Sequence, residues 1–546
     1  MAQKRLANVK TRAQTGFDYV MSHIEPQSPF GKTLLKERAP FFPGQEQELR
    51  DTLRKTGILA EAVRKAPKQA EEIQAVFHSM KDNSFSIERS KDSILTVIEL
   101  FELKSLLLQT EQLLKQLPQL KVAIPQEFIP ADTGRLLDVF DPRGERLHTF
   151  YIYDDFSPEL RSLRNKKHDV ERKIRKEQKV LKEALKERYH VCLTPKFEYI
   201  VSRGDRDELK KISEIPELEQ TDQDYMTITF ALKNTREIYE LGAEMKAVDC
   251  EIEAEEEKIR ESISRCVWKN HEVLLKNYHI FAELDLTLAK AIYAVKHNCI
   301  EPVIVQQHIL QIAGGRHLQA EDVLQTKHKA YIPIDISLEE GIICITGANM
   351  GGKTVSLKMV GLVQLLAQYG FFVPCQSCKI GLANFVQILI GDSQSLDRGL
   401  SSFGSEMEEL KEILDHCTDR SFLLIDEIAS GTNPVEGLVL TKGLLDYLAD
   451  KPYICLLTTH YDVMDRGRNV RSMQVSGLRN ADFSKIKREL AYANRKERIE
   501  IIGRYMDYRL VEAAEGEGVP RDALHIAEML GLDQKILEAA RGYLKD

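Results

Sequence analysis

The sequence predicts a mixed architecture: an all-α helical core with a long antiparallel coiled-coil arm, then an α/β domain and a small helical C-terminal element. Three observations predict it. Apolar residues recur at helical spacing through the first part of the chain. Two long helices of opposite charge follow. After residue 330, short apolar runs alternate with helical patterns.

From Phe17 to Leu117 the pattern is helical, with Ile94, Ile98, Phe101, Leu103, Leu106, Leu107, Leu113 and Leu114 on a wide apolar face. Between Arg135 and Asp154, two apolar runs flank Asp141-Pro142-Arg143-Gly144, which predicts a β-hairpin with a Pro/Gly turn. Residues 1–156 are thus expected to form the first part of the core, hairpin included. The arm is expected over 157–280. Its first helix, Ser157 to His190, holds 12 Lys/Arg and 6 Asp/Glu. Its second, Arg236 to Glu261, holds 4 basic and 10 acidic residues. Ile238, Leu241, Met245, Val248, Ile252 and Ile259 keep a heptad register that Glu255 interrupts. The opposite charges predict that the two helices neutralise each other. Between them, residues 191–235 form a tip with 6 basic and 9 acidic residues and strand-like runs at 197–201 and 226–230. Like charges repel phosphate, so this tip is a poor nucleic-acid clamp. A helical connector is expected over 281–329, the α/β domain over 330–480, and an insertion with a helical dimerisation region over 481–546.

Composition sets the outer limits. The 546 residues are 43% apolar, 29% charged and carry a net charge of -8, which argues against a uniformly basic coat. No apolar stretch approaches the roughly 20 residues of a membrane span, so no membrane partner is expected. The basic start lacks an apolar run after it, and nine cysteines are scattered widely, which fits a reducing, cytoplasmic setting. Cys375 and Cys378 form a C-x-x-C pair with no second pair at zinc spacing, and two buried thiols are the expected reading.

The chemistry concentrates in the α/β domain. Gly347-Ala348-Asn349-Met350-Gly351-Gly352-Lys353-Thr354 satisfies G-x-x-x-x-G-K-[ST], with the strand-like Ile342–Ile345 before it and an apolar helix from Val355 after it. Glycines let the backbone curl so that N–H groups face phosphate, and the helix N-terminus adds positive potential. Lys353 is expected to reach the β- and γ-phosphates of ATP, and Thr354 to ligate Mg²⁺. Phe422–Ile425 predicts a buried strand that delivers Asp426 to the metal and Glu427 to the attacking water. His460, after the third strand Ile454–Leu457, is expected to sense the γ-phosphate. Ser401 or Ser402 is placed to cap the following helix.

These motifs resemble the MutS family, grouped with the ABC-type ATPases. Residues 346–354 resemble T-G-P-N-M-G-G-K-[ST], with Ala348 in place of Pro. Ser401-Ser402-Phe403 with Met407 resembles S-T-F-x-x-x-M, residues 426–437 resemble D-E-[LI]-G-x-G-T-x-P-x-E-G, and Thr459-His460-Tyr461 resembles [AT]-T-H-Y. Weaker similarity covers Gly16–Tyr19, Ser28–Lys32, Ala282–Asp285, Arg316-His317, Tyr508–Leu510 and Ile526–Leu532. The resemblance implies a Mg²⁺-dependent ATPase with an ATP site running from Gly347 to Val355. It also implies a homodimer in which the Ser401 and Ser402 region of one subunit completes the site of the other. The family's mismatch-reading and nuclease domains are not recognisable here. DNA is the partner the family implies. A protein client, such as a cobalamin-dependent aminomutase awaiting reactivation, is the alternative that the acidic tip supports.

Overall fold

The computed structural model describes residues 5–347, 352–391, 402–461, 470–478, 481–490, 498, 501–502, 504–512 and 522–543. The chain divides into two compact units. None of the described helices is long and apolar enough to cross a membrane.

The smaller unit comprises residues 80–114 and 130–278. Helix Pro158–Tyr189 starts at Ser157, whose hydroxyl accepts from the backbone N–H of Glu159 and Leu160, with Pro158 pre-set for the first turn. It ends at His190, in the left-handed region at φ 57°. Helix Arg236–Lys269 returns antiparallel to it. Leu160, Val170 and Leu185 on one side, and Val248, Ile252 and Ile259 on the other, are buried. Glu255 interrupts the apolar seam at the start of its partner helix. Its carboxylate accepts the Ser157 hydroxyl at 2.8 Å and pairs with Lys258 at 3.0 Å. The Ser157 bond, then Lys258, holds its pKa below the usual range.

Charge neutralisation between these helices is narrower than their composition implies. Arg164–Glu256 and Lys167–Asp249, both 2.7 Å, are the cross-helix ion pairs among the described residues. The apolar seam occupies the facing sides, so most of the other charges point to solvent.

The tip is a three-stranded antiparallel sheet of β1 (Glu198–Ser202), β2 (Leu218–Gln223) and β3 (Thr227–Leu232), in the order β1-β3-β2. Val201, Ile212, Leu218, Phe230 and Leu232 share its small core. The hairpin expected over 135–154 is corrected. Gly134–Phe140 is an α-helix that buries Leu136, Leu137 and Phe140, and no strand is assigned over 141–154. The turn itself forms, with Gly144 N–H donating to the Asp141 carbonyl at 2.9 Å.

The larger unit comprises residues 1–79, 115–129 and 279–546. Its strands are β4 (Val303–Val305), β5 (Ile309–Gly315), β6 (Ile334–Glu339), β7 (Gly341–Thr346), β8 (Ser377–Gly381), β9 (Phe385–Ile390), β10 (Ser421–Asp426), β11 (Ile454–Thr458), β12 (Val470–Gly477) and β13 (Asp507–Glu512). A four-stranded sheet runs β4-β8-β5-β6, and a six-stranded sheet runs β13-β12-β7-β11-β10-β9. Two expectations are corrected here. The connector over 281–329 is helical only to Lys296 and again over Leu318–Thr326, because β4 and β5 lie between. The stretch 481–546 is not all helical, since β13 joins the larger sheet antiparallel to β12.

In the larger sheet, β12, β7, β11, β10 and β9 are parallel. Every residue of β7, β10 and β11 is buried, as expected of central parallel strands covered on both faces. Helices Ser402–His416 and Pro434–Ala449 cover one face through Ile413, Leu444, Leu445 and Leu448. Helix Lys353–Gln368 meets the sheet from elsewhere, where Gly361 allows close approach. A Cβ there would lie 2.8 Å from Leu424 and 2.6 Å from Thr15. The edge strand β9 is covered by the start of the chain. The Leu6 carbonyl accepts from Val386 N–H at 2.7 Å. The Thr11 hydroxyl donates to Gln387 at 2.6 Å and accepts from Ile388 N–H at 3.2 Å. Cys375 and Cys378 are both buried, and a hydrogen bond between their thiols together with burial pushes the Cys375 pKa far up.

Candidate nucleotide site

The site forms at the carboxyl ends of three adjacent strands. Strand order puts β11 between β7 and β10, and Ile345, Thr458 and Asp426 lie in one row across them. Ligands of open α/β sheets bind at this end.

After β7 the chain turns at Gly347, whose φ of 139° is open to glycine and strained for other residues. A Cβ there would approach Val475 of β12 at 3.3 Å. Helix Lys353–Gln368 then begins behind Gly352, left-handed at φ 76°. Tyr508 of β13 stands beside it, 3.0 Å from where a Cβ would sit. Val355 lies in the first turn of this helix. Ala348, Asn349, Met350, Gly351 and Ser401 lie outside the described residues, as does the side chain of Ser402.

Lys353 is buried, and burial lowers its pKa against the opposing pull of Glu427 and Asp426. Its ammonium donates to the Gly347 carbonyl at 2.7 Å and lies 3.4 Å from Glu427 Oε1 and 3.2 Å from His460 Nδ1. The Thr354 hydroxyl donates to Asp426 Oδ2 at 2.7 Å, and the Thr458 hydroxyl donates to Asp426 Oδ1. Thr458 also accepts from Glu427 N–H at 3.2 Å through its hydroxyl, and at 3.0 Å through its carbonyl. His460 Nε2 lies 2.6 Å from Glu427 Oε1. That bond, above all, keeps the Glu427 pKa below the usual carboxylate range, with Lys353 adding to it.

The chain leaves β10 through an unusual backbone. Glu427 and Ala429 are left-handed at φ 50° and 59°. Each such non-glycine residue costs on the order of 1 kcal/mol, and persists where its surroundings fix it. Glu427 is fixed by Thr458. The Ala429 carbonyl accepts the Tyr461 hydroxyl at 3.1 Å. Gly437 leaves the room for that contact, since a Cβ would fall 2.2 Å from the Tyr461 oxygen.

The structure therefore brings together Lys353, Thr354, Asp426, Glu427 and His460. Sequence reasoning singled out all five. It missed the roles of Thr458 and Tyr508. A hydroxyl ending a wholly apolar strand, as in Ile454–Thr458, was the available signal for the first. The second arrives on a distant strand, and the weak similarity over Tyr508–Leu510 pointed to dimerisation and not to this site. The cluster can hold an anion against Lys353 and a helix N-terminus, and a hard cation against the oxygens of Thr354 and Asp426.

Residues 343–546 match MutS domain V. The chain is 33% identical over 308 residues to a protein named Endonuclease MutS2 from Caldicellulosiruptor bescii, covering 56% of this chain and 36% of that protein. Endonuclease MutS2 from Agathobacter rectalis is 34% identical over 316 residues, 57% of this chain and 36% of that protein. The protein of that name from Carboxydothermus hydrogenoformans is 29% identical over 484 residues, 84% of this chain and 56% of that protein. The chain thus spans between about a third and just over half of these relatives. Taken with the strand ends that gather the lysine, the two carboxylates and the histidine, these matches show a MutS-family ATPase domain, MutS domain V, in residues 343–546.

Proposed function

We propose that this chain hydrolyses ATP with Mg²⁺ and uses the cycle to change the conformation of a homodimer on DNA. The observation that carries the reading is the convergence of Lys353, Thr354, Asp426, Glu427 and His460 at three adjacent strand ends. Residues Gly347 to Val355 cradle the phosphates, whose charge is met by Lys353 and the helix N-terminus. Thr354 and Asp426 hold the metal. Their oxygens suit a hard cation, and they already lie 2.7 Å apart. Bound there, Mg²⁺ neutralises charge on the phosphate oxygens. Glu427 orients the attacking water and takes its proton, with His460 holding Glu427 and sensing the γ-phosphate.

Lys353 links binding to catalysis in this scheme. It stands 3.4 Å from Glu427, whose proton affinity it helps to lower. When phosphate draws the lysine away, Glu427 loses a neighbouring cation and becomes the stronger base. Ser401 and Ser402 complete the partner subunit's site. The antiparallel helices Pro158–Tyr189 and Arg236–Lys269 serve as a coiled-coil arm that carries the motion. The setting is cytoplasmic. The DNA role follows the relatives' name. The acidic tip favours a second reading, in which the client is another protein.

The test is Glu427→Gln. ATP binding should persist while turnover falls by about 10² to 10⁴, the usual worth of a positioned base. Retained turnover would remove Glu427 from this role. ATPase assays with and without duplex DNA at a stated salt concentration separate the two clients.

A further inference from the structure

The basic helix leaves its cations outward. Its apolar seam is Leu160, Leu163, Val170, Ile174, Leu181 and Leu185. At 3.6 residues per turn, Arg172, Lys176, Lys179 and Lys186 fall within about 60° of the direction opposite that seam, and Arg175 within about 80°. All five are exposed. Arg172 lies 3.4 Å from Asp169, and no ion pair is assigned to the other four among the described residues. Between Arg172 and Lys186, Glu183 is the acid that shares their stripe. The five cations extend over about 21 Å at 1.5 Å per residue, about two-thirds of a duplex turn.

The acidic helix does not cancel this stripe. Its exposed carboxylates lie on the other member of the pair, Glu257 and Glu240 nearest its outer face and Glu237, Glu244, Glu251 and Glu253 on its flanks. Two packed helices put their outer faces about 20 Å apart, roughly twice the Debye length at physiological salt. The outer face of the basic helix is thus the part of the pair farthest from these carboxylates, and their screening of its cations is weakest there. Phosphate spacing of about 1.7 Å along a duplex axis gives a row of anions that a rigid row of cations can meet. The ions released in that contact supply the driving force.

We propose that the outward stripe Arg172, Arg175, Lys176, Lys179 and Lys186 is a sequence-independent binding surface for the phosphate backbone of duplex DNA. This rests on the DNA reading above and moves the contact from the acidic tip to the shaft of the arm. None of these side chains is placed to read bases, so binding depends on salt and not on sequence.

The probe is a fluorescein-labelled 30-base-pair duplex, titrated by anisotropy with the full chain between 50 and 200 mM salt. R175Q/K176Q/K179Q/K186Q should weaken binding at least tenfold at 100 mM salt. It should also flatten the slope of log K against log salt by about 2 to 4, at 0.9 per lost contact. Circular dichroism checks that the helices persist. A gentler variant, K176Q/K179Q, should show about half the change in slope. If wild type binds and both variants match it in affinity and slope, the stripe is not the site, while the DNA reading stands. If wild type binds no duplex even at 50 mM salt, the DNA reading fails first and takes the stripe with it. If sedimentation without DNA shows that the stripe variants lose an assembly that wild type forms, the stripe joins copies of the chain, and the proposal is overturned.

Discussion

Lowering the pH from 7.5 to 5 should loosen the joint between the chain's first helices and residues 316–326. His317 holds that joint. Its ring is buried, with Nε2 3.0 Å from the Thr15 carbonyl and Nδ1 accepting from Ala320 N–H at 3.2 Å. Those bonds need the neutral ring protonated at Nε2, and a second proton would face a backbone N–H. Burial, the leading cause, lowers the pKa from 6.5 to about 4. The unfolded segment therefore binds the proton more readily than the folded one, and stability falls as the pH drops through the window from 6.5 to 4. At pH 5 the two constants give a loss of about 2 kcal/mol, an opening equilibrium about thirtyfold larger, and about 3 kcal/mol once the pH is below 4. Native-state hydrogen exchange, corrected for intrinsic rates, reads this opening in peptides covering residues 9–22 and 318–326. His317→Gln keeps a donor without a titrating group, so its exchange should rise far less between the two pH values. His308, also lowered to about 4, titrates in both proteins and drops out of the comparison. Equal acid loosening in wild type and variant would refute the assignment.

Two further substitutions test the packing and the site. Gly381→Ala places a Cβ 1.8 Å from the Gln307 carbonyl, which backbone must move to relieve. It should cost about 2 to 3 kcal/mol, read as a fall of about 5 °C or more in the calorimetric melting of the larger unit. Thr458→Val keeps the volume but removes the hydroxyl shared by Asp426 and Glu427 N–H. Turnover should drop more than tenfold while ATP binding without Mg²⁺ is retained; unchanged turnover would leave Thr458 as packing alone.

The candidate nucleotide site was legible because its residues are local in sequence. A four-residue apolar run followed by Asp426-Glu427 reads as a buried strand with carboxylates at its exit, and β10 is that strand. The failures share one cause, which is that distant contacts decide the outcome. Leu136, Leu137 and Phe140 suit one side of a strand pair or one side of a helix, and burial favoured the helix. Strand β2 escaped notice because five of its six residues are exposed and polar, leaving no alternation to detect. The excess charge on the two long helices suggested mutual pairing. Side-chain direction decided otherwise, because the apolar seam takes the facing sides. Strand β13 lies among residues whose pattern reads as helix, and only its partner β12 reveals it.

The cover over β9 has a consequence for dissecting the protein. The domain V match begins at residue 343, yet the groups that close its outermost strand come from Leu6 and Thr11. A fragment cut at that boundary would present Val386 and Ile388 N–H to solvent as a template for other strands. It would tend to pair edge to edge, and a soluble engine would have to be expressed together with residues 5–22. The opening residues thus cap the edge of a sheet whose outermost strand lies some 380 residues later in the chain.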